Sequence, residues 1–304
     1  MQRTQPPRIL GVGHTAVDHQ FSIAAFPRTA TKVAAQHYAS GTGGMTANAC
    51  VAAARLGAQV RIASPVGAND VARFAAYFTQ EGIDASGVVG VPQADSSVSA
   101  VMVDAAGQRF IVSHRGSALH HAPAFETSQV DHSDVVITDP RCVAWAEAAL
   151  SRARQRARVS ILDADVAPGE DLQRLVGLSQ WAVFSQAGLA AFAPGASAPQ
   201  GLAAALAAGA EVAVVTRDEH PLWWQRRGHD AQEMAGFSVH PVVDTTAAGD
   251  TFHGALAVAL GEGRDDRNAL RFACAAAALK CLRPGGVLGA PMRSEVDALL
   301  ASRA

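Results

Sequence analysis

The run Val243–Leu256, VDTTAAGDTFHGAL, constrains this chain more than any other stretch. A strand-like segment ends at Asp244. Three small residues, Ala247, Ala248 and Gly249, form a turn, and a helix is expected to begin near Asp250. A helix start exposes unpaired backbone N–H groups and carries partial positive charge. Small side chains let an anion approach that backbone closely. A carboxylate at the same point would repel phosphate if anion binding were the only purpose. It makes sense if it takes the proton of a hydroxyl that attacks the phosphate. The residues point to phosphoryl transfer with Asp250 as base, beside the plainer reading that Asp250 caps a helix.

The rest of the chain alternates short β-rich runs with longer helical ones, which predicts a parallel sheet covered by helices. Strands are expected at Arg8–Gly13, Val60–Pro65, Asp134–Thr138, Val159–Asp163, Trp181–Phe184 and Glu211–Thr216. Thr46–Leu56 and Val71–Glu81 are expected helices, the second with apolar residues at Val71, Phe74, Ala75 and Phe78. Gly249–Leu282 is Ala-rich and nearly all helical in pattern. Three alternating runs lack helices between them: Lys32–Ala39, Ser97–Asp104 and Gln108–Ser113. The last two are joined by the hairpin signal Ala105-Ala106-Gly107. They predict a small antiparallel sheet, formed by segments 14–40 and 96–115, that closes over a site or pairs with a second subunit. The whole of 1–304 is expected to be one domain carrying this lid.

Composition excludes several classes. The net charge is −2 and no basic block occurs, so a nucleic-acid partner is not expected. The longest apolar runs fall well short of the ~20 residues of a membrane span. No N-terminal segment combines positive charge, an apolar run and a cleavage site, so the chain reads as soluble and unexported. Cys50, Cys142, Cys274 and Cys281 form no CxxC pair and read as buried thiols of a reducing cytoplasm. Lys32 and Lys280 are the only lysines in a chain otherwise reliant on Arg, which singles them out.

DTTAAGDTFHGA resembles the C-terminal signature of the PfkB, or ribokinase, family of carbohydrate kinases. Ser40–Gly57, SGTGGMTANACVAAARLG, is similar to that family's di-glycine motif, with Asn48 four residues after Gly44. Gly11–Asp18, SPVGAND at 64–70 and VMVDAAGQR at 101–109 follow in the family's order. The match runs over nearly the whole chain. It implies a ribokinase-like α/β sandwich with a central mostly parallel sheet and a small β lid. It also implies an ATP-dependent kinase acting on a hydroxyl of a small sugar. Asp250 would be the base, and the amides of Ala247, Ala248 and Gly249 the anion hole. Asp244 and Thr246 would hold a potassium ion that orders that loop. Asp18, Gly43, Gly44 and Asn48 would bind sugar hydroxyls. Ser185, Thr216, Asp218, Gly249 and Cys274 would line the nucleotide site. Magnesium would arrive with ATP, mostly water-coordinated. A homodimer through the lid is implied by analogy.

The sequence departs from the family at three places. Met45 stands where ribokinases carry Lys, which turns the expected substrate away from ribose. Ser185-Gln186-Ala187-Gly188 replaces an Asn-x-x-Glu motif and lacks its carboxylate. Thr216–Pro221 lacks both glycines of the family's Thr-x-Gly-x-x-Gly nucleotide loop. In detail the chain is most similar to the sulfofructose kinases, through VVDTTAAGDTFHGALAVAL, ALKCLRPGG and FSQAGLA. In that group a Lys and an Arg hold an anionic tail. Lys32 and Arg141 stand at matching positions, and Ser113 takes the place of an Asn. This resemblance implies an anionic ketose, sulfofructose first.

Other readings are weaker or remain alternatives. Gly11-Val12-Gly13-His14-Thr15-Ala16 fits a dinucleotide fingerprint, but no helical pattern follows and no acidic residue occurs between Asp18 and Asp70. No GxxxxGK[ST] occurs. The eleven histidines show no metal-ligand spacing. A kinase for another sugar, sugar acid or nucleoside, and a non-catalytic sugar sensor, stay open.

Overall fold

Ile9, Ile137, Ile161, Val183 and Val214 point to one side of a parallel sheet, and Leu10, Val12, Leu162, Phe184 and Val215 to the other, all at 2% exposure or less. That two-residue alternation is the period of a strand buried on both faces. A computed structural model describes residues 5–303. The first four residues and Ala304, parts of the expected 1–304 domain, lie outside the described residues.

The strands run β1 (Arg8–Val12), β2 (Ala16–Ser22), β3 (His37–Gly43), β4 (Gln59–Gly67), β5 (Asp84–Val91), β6 (Ser97–Val103) and β7 (Arg109–His114). They continue with β8 (Val135–Thr138), β9 (Val159–Ala164), β10 (Trp181–Phe184), β11 (Val212–Arg217), β12 (His220–Arg226) and β13 (Gln232–Met234). The helices are α1 (Met45–Arg55), α2 (Val71–Gln80), α3 (Ser128–Asp131), α4 (Val143–Gln155) and α5 (Gly169–Leu178). After them come α6 (Gln186–Phe192), α7 (Ala198–Ala208), α8 (Ala248–Gly261), α9 (Asp266–Lys280) and α10 (Arg293–Ser302).

One sheet has nine strands in the order β13-β12-β11-β10-β9-β8-β1-β4-β5. Its strands from β11 to β5 are parallel, and β12 and β13 close one edge antiparallel. Helices α1, α2, α8, α9 and α10 pack on one face through Ala49, Phe74, Phe252, Phe272 and Val296. Helices α4 to α7 pack on the other through Leu150, Leu172, Leu189 and Leu202. The result is a three-layer α/β sandwich.

The second sheet has four strands in the order β3-β2-β6-β7. Two expectations are corrected here. The sheet is mixed rather than antiparallel, because β2 pairs with β6 in parallel, Asp18 against Ser99. Residues 32–36 are not strand. The edge strand begins at His37 and runs to Gly43, because pairing with β2 from Ser22 to Ala16 sets its ends.

Candidate active site

Functional side chains gather where the parallel strands end, the usual ligand edge of an open α/β sheet. Asp139 follows β8 and is fully buried. Its carboxylate accepts the amide of His14 at 2.7 Å, the amide of Arg141 at 2.9 Å and the Thr46 hydroxyl. It ties the exit of β1 to the start of α1. Gly44 makes that start possible. Its φ is 103°, and a Cβ there would stand 2.5 Å from the His14 carbonyl oxygen.

Helix α1 then meets α8 at very close range. A Cβ at Gly254 would lie 2.3 Å from the Ala49 carbonyl oxygen. Asp250 is one turn before Gly254 on the same helix face. The contact therefore brings Asn48 and Asp250 together, and the Asn48 amide donates to Asp250 Oδ2 at 2.7 Å. Ala247 adopts the left-handed conformation, φ 61°, and turns the chain into α8. Among the described residues, no hydrogen bond engages the amides of Ala247 or Gly249, and a Cβ at Gly249 would meet nothing within 4 Å. The Ala248 amide differs from its expected role. It donates to the Thr245 carbonyl at 3.2 Å, because the tight turn folds it inward.

Burial pushes the Asp250 carboxyl up to about 7, and the charge of Asp163 adds to this. The Asn48 hydrogen bond and the charges of His253 and Arg109 oppose it. Behind Asp250, His253 Nδ1 donates to the Gly249 carbonyl at 2.7 Å and Nε2 faces Asp163 at 3.5 Å. Burial lowers the His253 pKa and raises that of Asp163 well above the usual carboxylate range.

The small sheet supplies the opposite wall. Asp18, Ser99 and Ser113 align across three adjacent strands and share one face. Asp18 lies against Gly43, where a Cβ would stand 1.8 Å from its Oδ2. Burial raises the Asp18 pKa, against a hydrogen bond from Ser99. Arg109 shares the face of Ser113 at two strand steps and donates to the Thr245 carbonyl at 2.7 Å, at the root of the turn.

Arg141 donates to the Asp165 carboxylate at 3.0 Å and to the Val166 carbonyl at 2.7 Å. Arg115 stands near enough to feel its charge. Burial, and then the positive charge of Arg141, lower the Arg115 pKa. Lys32 lies in the exposed segment between β2 and β3. Arg115 thus stands beside Arg141, one of the two residues expected at the anionic tail.

On the expected nucleotide side, Ser185 caps α6 by accepting from Gly188 and donates to Asp165. Thr216 donates to the Phe184 carbonyl at 3.2 Å, which places it beside Ser185. Asp218, φ 47°, sits in the tight hairpin between β11 and β12, where Arg217 pairs with His220. This hairpin stands where a glycine loop was expected to curve. Cys274 lies half-buried on α9.

At Asp244, expected with Thr246 to hold potassium, a tethered cation already stands. The fully buried Lys280 places its Nζ 3.3 Å from Asp244 Oδ2 and 2.6 Å from the Asp244 carbonyl oxygen. The amides of Thr246 and Gly286 donate to the two carboxylate oxygens at 2.8 and 3.0 Å. Burial would raise the Asp244 pKa, but these amides and the ammonium outweigh it and hold the carboxyl below its ordinary value. A potassium ion on the same oxygens would stand ~4 Å from the ammonium, a repulsion of about 4 kcal/mol at an effective dielectric of 20.

Sequence reasoning missed Asp139, Asp163, His253, Arg109 and Arg115 as site residues. An acidic residue ending an apolar strand, as in DVVITD and VSILD, was the available signal for the first two.

The class is defined by the sandwich, the small sheet facing its strand ends, and a carboxylate set behind open amides at a helix start. It is that of the ribokinase-like sugar kinases. The model of the pfkB family of carbohydrate kinases matches residues 7–293, and the chain belongs to that family. The chain is 28% identical to a ribokinase of Haemophilus influenzae over 93% of this chain and 95% of that one. A solved protein of Agrobacterium tumefaciens assigned as a ribokinase superposes with a TM-score of 0.93 at 31% identity, covering 98% of this chain and 99% of that one. Arabidopsis thaliana ribokinase, solved with ribose and ATP, shares the fold with a TM-score of 0.84 at 22% identity, over 97% and 99% of the two chains. The protein is a carbohydrate kinase. Among the described residues no helix is long and apolar enough to cross a membrane.

Proposed function

We propose that this kinase transfers the γ-phosphoryl group of ATP to a hydroxyl of an anionic ketose, with sulfofructose as first candidate. The observation that carries the catalytic reading is Asp250, with a pKa near 7, set one turn from open amides. A base with that pKa is half ionised at neutral pH and still accepts a proton readily. Asp250 takes the hydroxyl proton as the sugar oxygen attacks phosphorus and the bond to ADP breaks. The amides of Ala247 and Gly249 face the charge that develops on the transferred group. Arg109 steadies the turn from across the cleft. Asn48 orients the Asp250 carboxylate, and Asp18 accepts from sugar hydroxyls between Gly43 and Ser113. Ser185, Thr216, Asp218 and Cys274 are assigned to the nucleotide side. Magnesium enters with the nucleotide and neutralises its phosphates. Among the described residues no group of three or more His, Cys, Asp or Glu is set to hold a metal.

The anionic tail is assigned to Arg141 and Arg115, two guanidinium groups at the strand ends, near enough for the charge of the first to act on the second. Arg grips sulfonate or phosphate through paired N–H bonds. Ser113 is the polar partner from the small sheet, which we take to act as the lid over the site. Its outer face carries Tyr38, Val98, Phe110 and Val112, each at least 36% exposed, which supports a homodimer through that face. Four free cysteines support a cytoplasmic setting.

The test is ADP release with magnesium-ATP across sulfofructose, fructose 6-phosphate, fructose, ribose, 2-keto-3-deoxygluconate and adenosine. An anionic ketose is expected to be the best substrate, with turnover lost in Asp250→Asn. Arg141→Ala is expected to raise its KM at least tenfold and to leave neutral sugars unchanged. A neutral sugar as best substrate would overturn the anion assignment.

A further inference from the structure

Lys280 ends α9 and is one of two lysines in the chain. Its side chain is fully buried, an expensive place for an ammonium unless it is paired. Nζ is surrounded by oxygens: the Asp244 carbonyl at 2.6 Å, Asp244 Oδ2 at 3.3 Å and the Arg283 carbonyl at 3.4 Å. Two backbone carbonyls and a carboxylate are the ligands that suit a monovalent cation, and here a tethered cation already fills the place.

The contacts around it fix the approach to the catalytic turn. The amides of Val243 and Asp244 both donate to the Cys281 carbonyl, at 2.8 and 3.3 Å. Asp244 in turn receives the amides of Thr246 and Gly286. Asp244 lies three residues before Ala247, so whatever holds Asp244 sets where the open amides point. Arg109 grips the same turn from the other side through Thr245.

We propose that the Lys280 ammonium does the work of a bound monovalent cation beside this turn, so that phosphoryl transfer by this kinase does not require potassium. The proposal rests on the reading of residues 247–250 as the phosphoryl-transfer site. Lys280 is a positioning residue. It touches neither sugar nor nucleotide and acts through Asp244.

The experiment uses the full chain with magnesium-ATP and the best sugar from the panel above. Potassium, sodium and choline chlorides are compared at equal ionic strength. ADP is measured directly by chromatography, since coupling enzymes can themselves need potassium. Turnover is expected to stay within threefold across the three salts. The melting temperature should rise less than about 2 °C in potassium, whereas a site filled a hundredfold above its Kd would raise it by about 5 °C. Lys280→Ala is expected to lose kcat on the order of tenfold or more with a smaller change in KM, and to regain activity in potassium over choline. Wild-type turnover more than threefold higher in potassium would overturn the proposal, as would a larger potassium-specific gain in melting temperature. If Lys280→Ala does not fold, the wild-type series still decides. If no sugar turns over, the melting series decides alone, and the failure belongs to the assignment of substrate.

Discussion

Replacing Asp250 by Asn should stabilise the protein while it destroys activity. Folding moves this carboxyl from an ordinary 3.8 to about 7, so the native state binds more protons than the unfolded chain between those pH values. Stability therefore falls as pH rises through that window, and above pH 7 the ionised Asp250 carries its full cost. The displacement corresponds to about 4 kcal/mol. Asp250 keeps an edge open to the cleft, and screening there reduces the figure to about 2 kcal/mol. The amide introduced by Asp250→Asn would keep an oxygen that accepts from Asn48 and remove the charge that Asp163 opposes. The melting temperature of Asp250→Asn should exceed that of wild type by roughly 4 °C at pH 8 and should converge on it towards pH 4. Scanning calorimetry over that range measures the effect. In the same preparations kcat should fall by about 10²–10⁴, the range of a lost general base. A variant less stable than wild type at pH 8, or one that keeps a tenth of the activity, would refute the assignment of Asp250 as a buried, strained base.

Wild-type kcat/KM should rise with pH through an apparent pKa near 7, and Asn48→Ala should move that inflection upward because a hydrogen bond to the ionised form is lost. A pH-rate profile reports both. Gly249→Ala should leave the melting temperature unchanged, since a Cβ there meets nothing, yet lower kcat at least tenfold by crowding the incoming phosphoryl group. Gly44→Ala should do the reverse kind of damage: a φ of 103° and a 2.5 Å approach to the His14 carbonyl predict a loss of about 2–5 kcal/mol in denaturant melts. Arg109→Ala should lower kcat several-fold with little change in melting temperature, because its bond to Thr245 joins the small sheet to the catalytic turn without supporting the core.

Local sequence sufficed where one stretch of chain does a whole job. The turn at Ala247–Gly249 was legible because small residues before a helix start are a local requirement for exposed amides. The parallel strands were legible because a strand buried on both faces must be apolar throughout, as VVIT and VAVV are. The β6–β7 hairpin was legible from Ala105-Ala106-Gly107, since a tight turn needs residues of that kind. Pairing between distant strands left no such mark. Nothing in residues 16–22 announces a parallel partner at 97–103, and the start of the edge strand at His37 is set by its neighbour. The site divides in the same way. Asp250 could be read from its own neighbours, but its pKa depends on Asn48 and Asp163, which reach it only through the close packing of α1 on α8 and the end of β9. That Arg115 stands near Arg141 became visible only once the chain was folded. Lys280 stood out as a rare residue type, yet its meaning came from two carbonyls and a carboxylate supplied by segments up to 36 residues away. Charge interactions act through space, so tertiary structure decided them, while backbone exposure and strand burial were written in short runs of sequence.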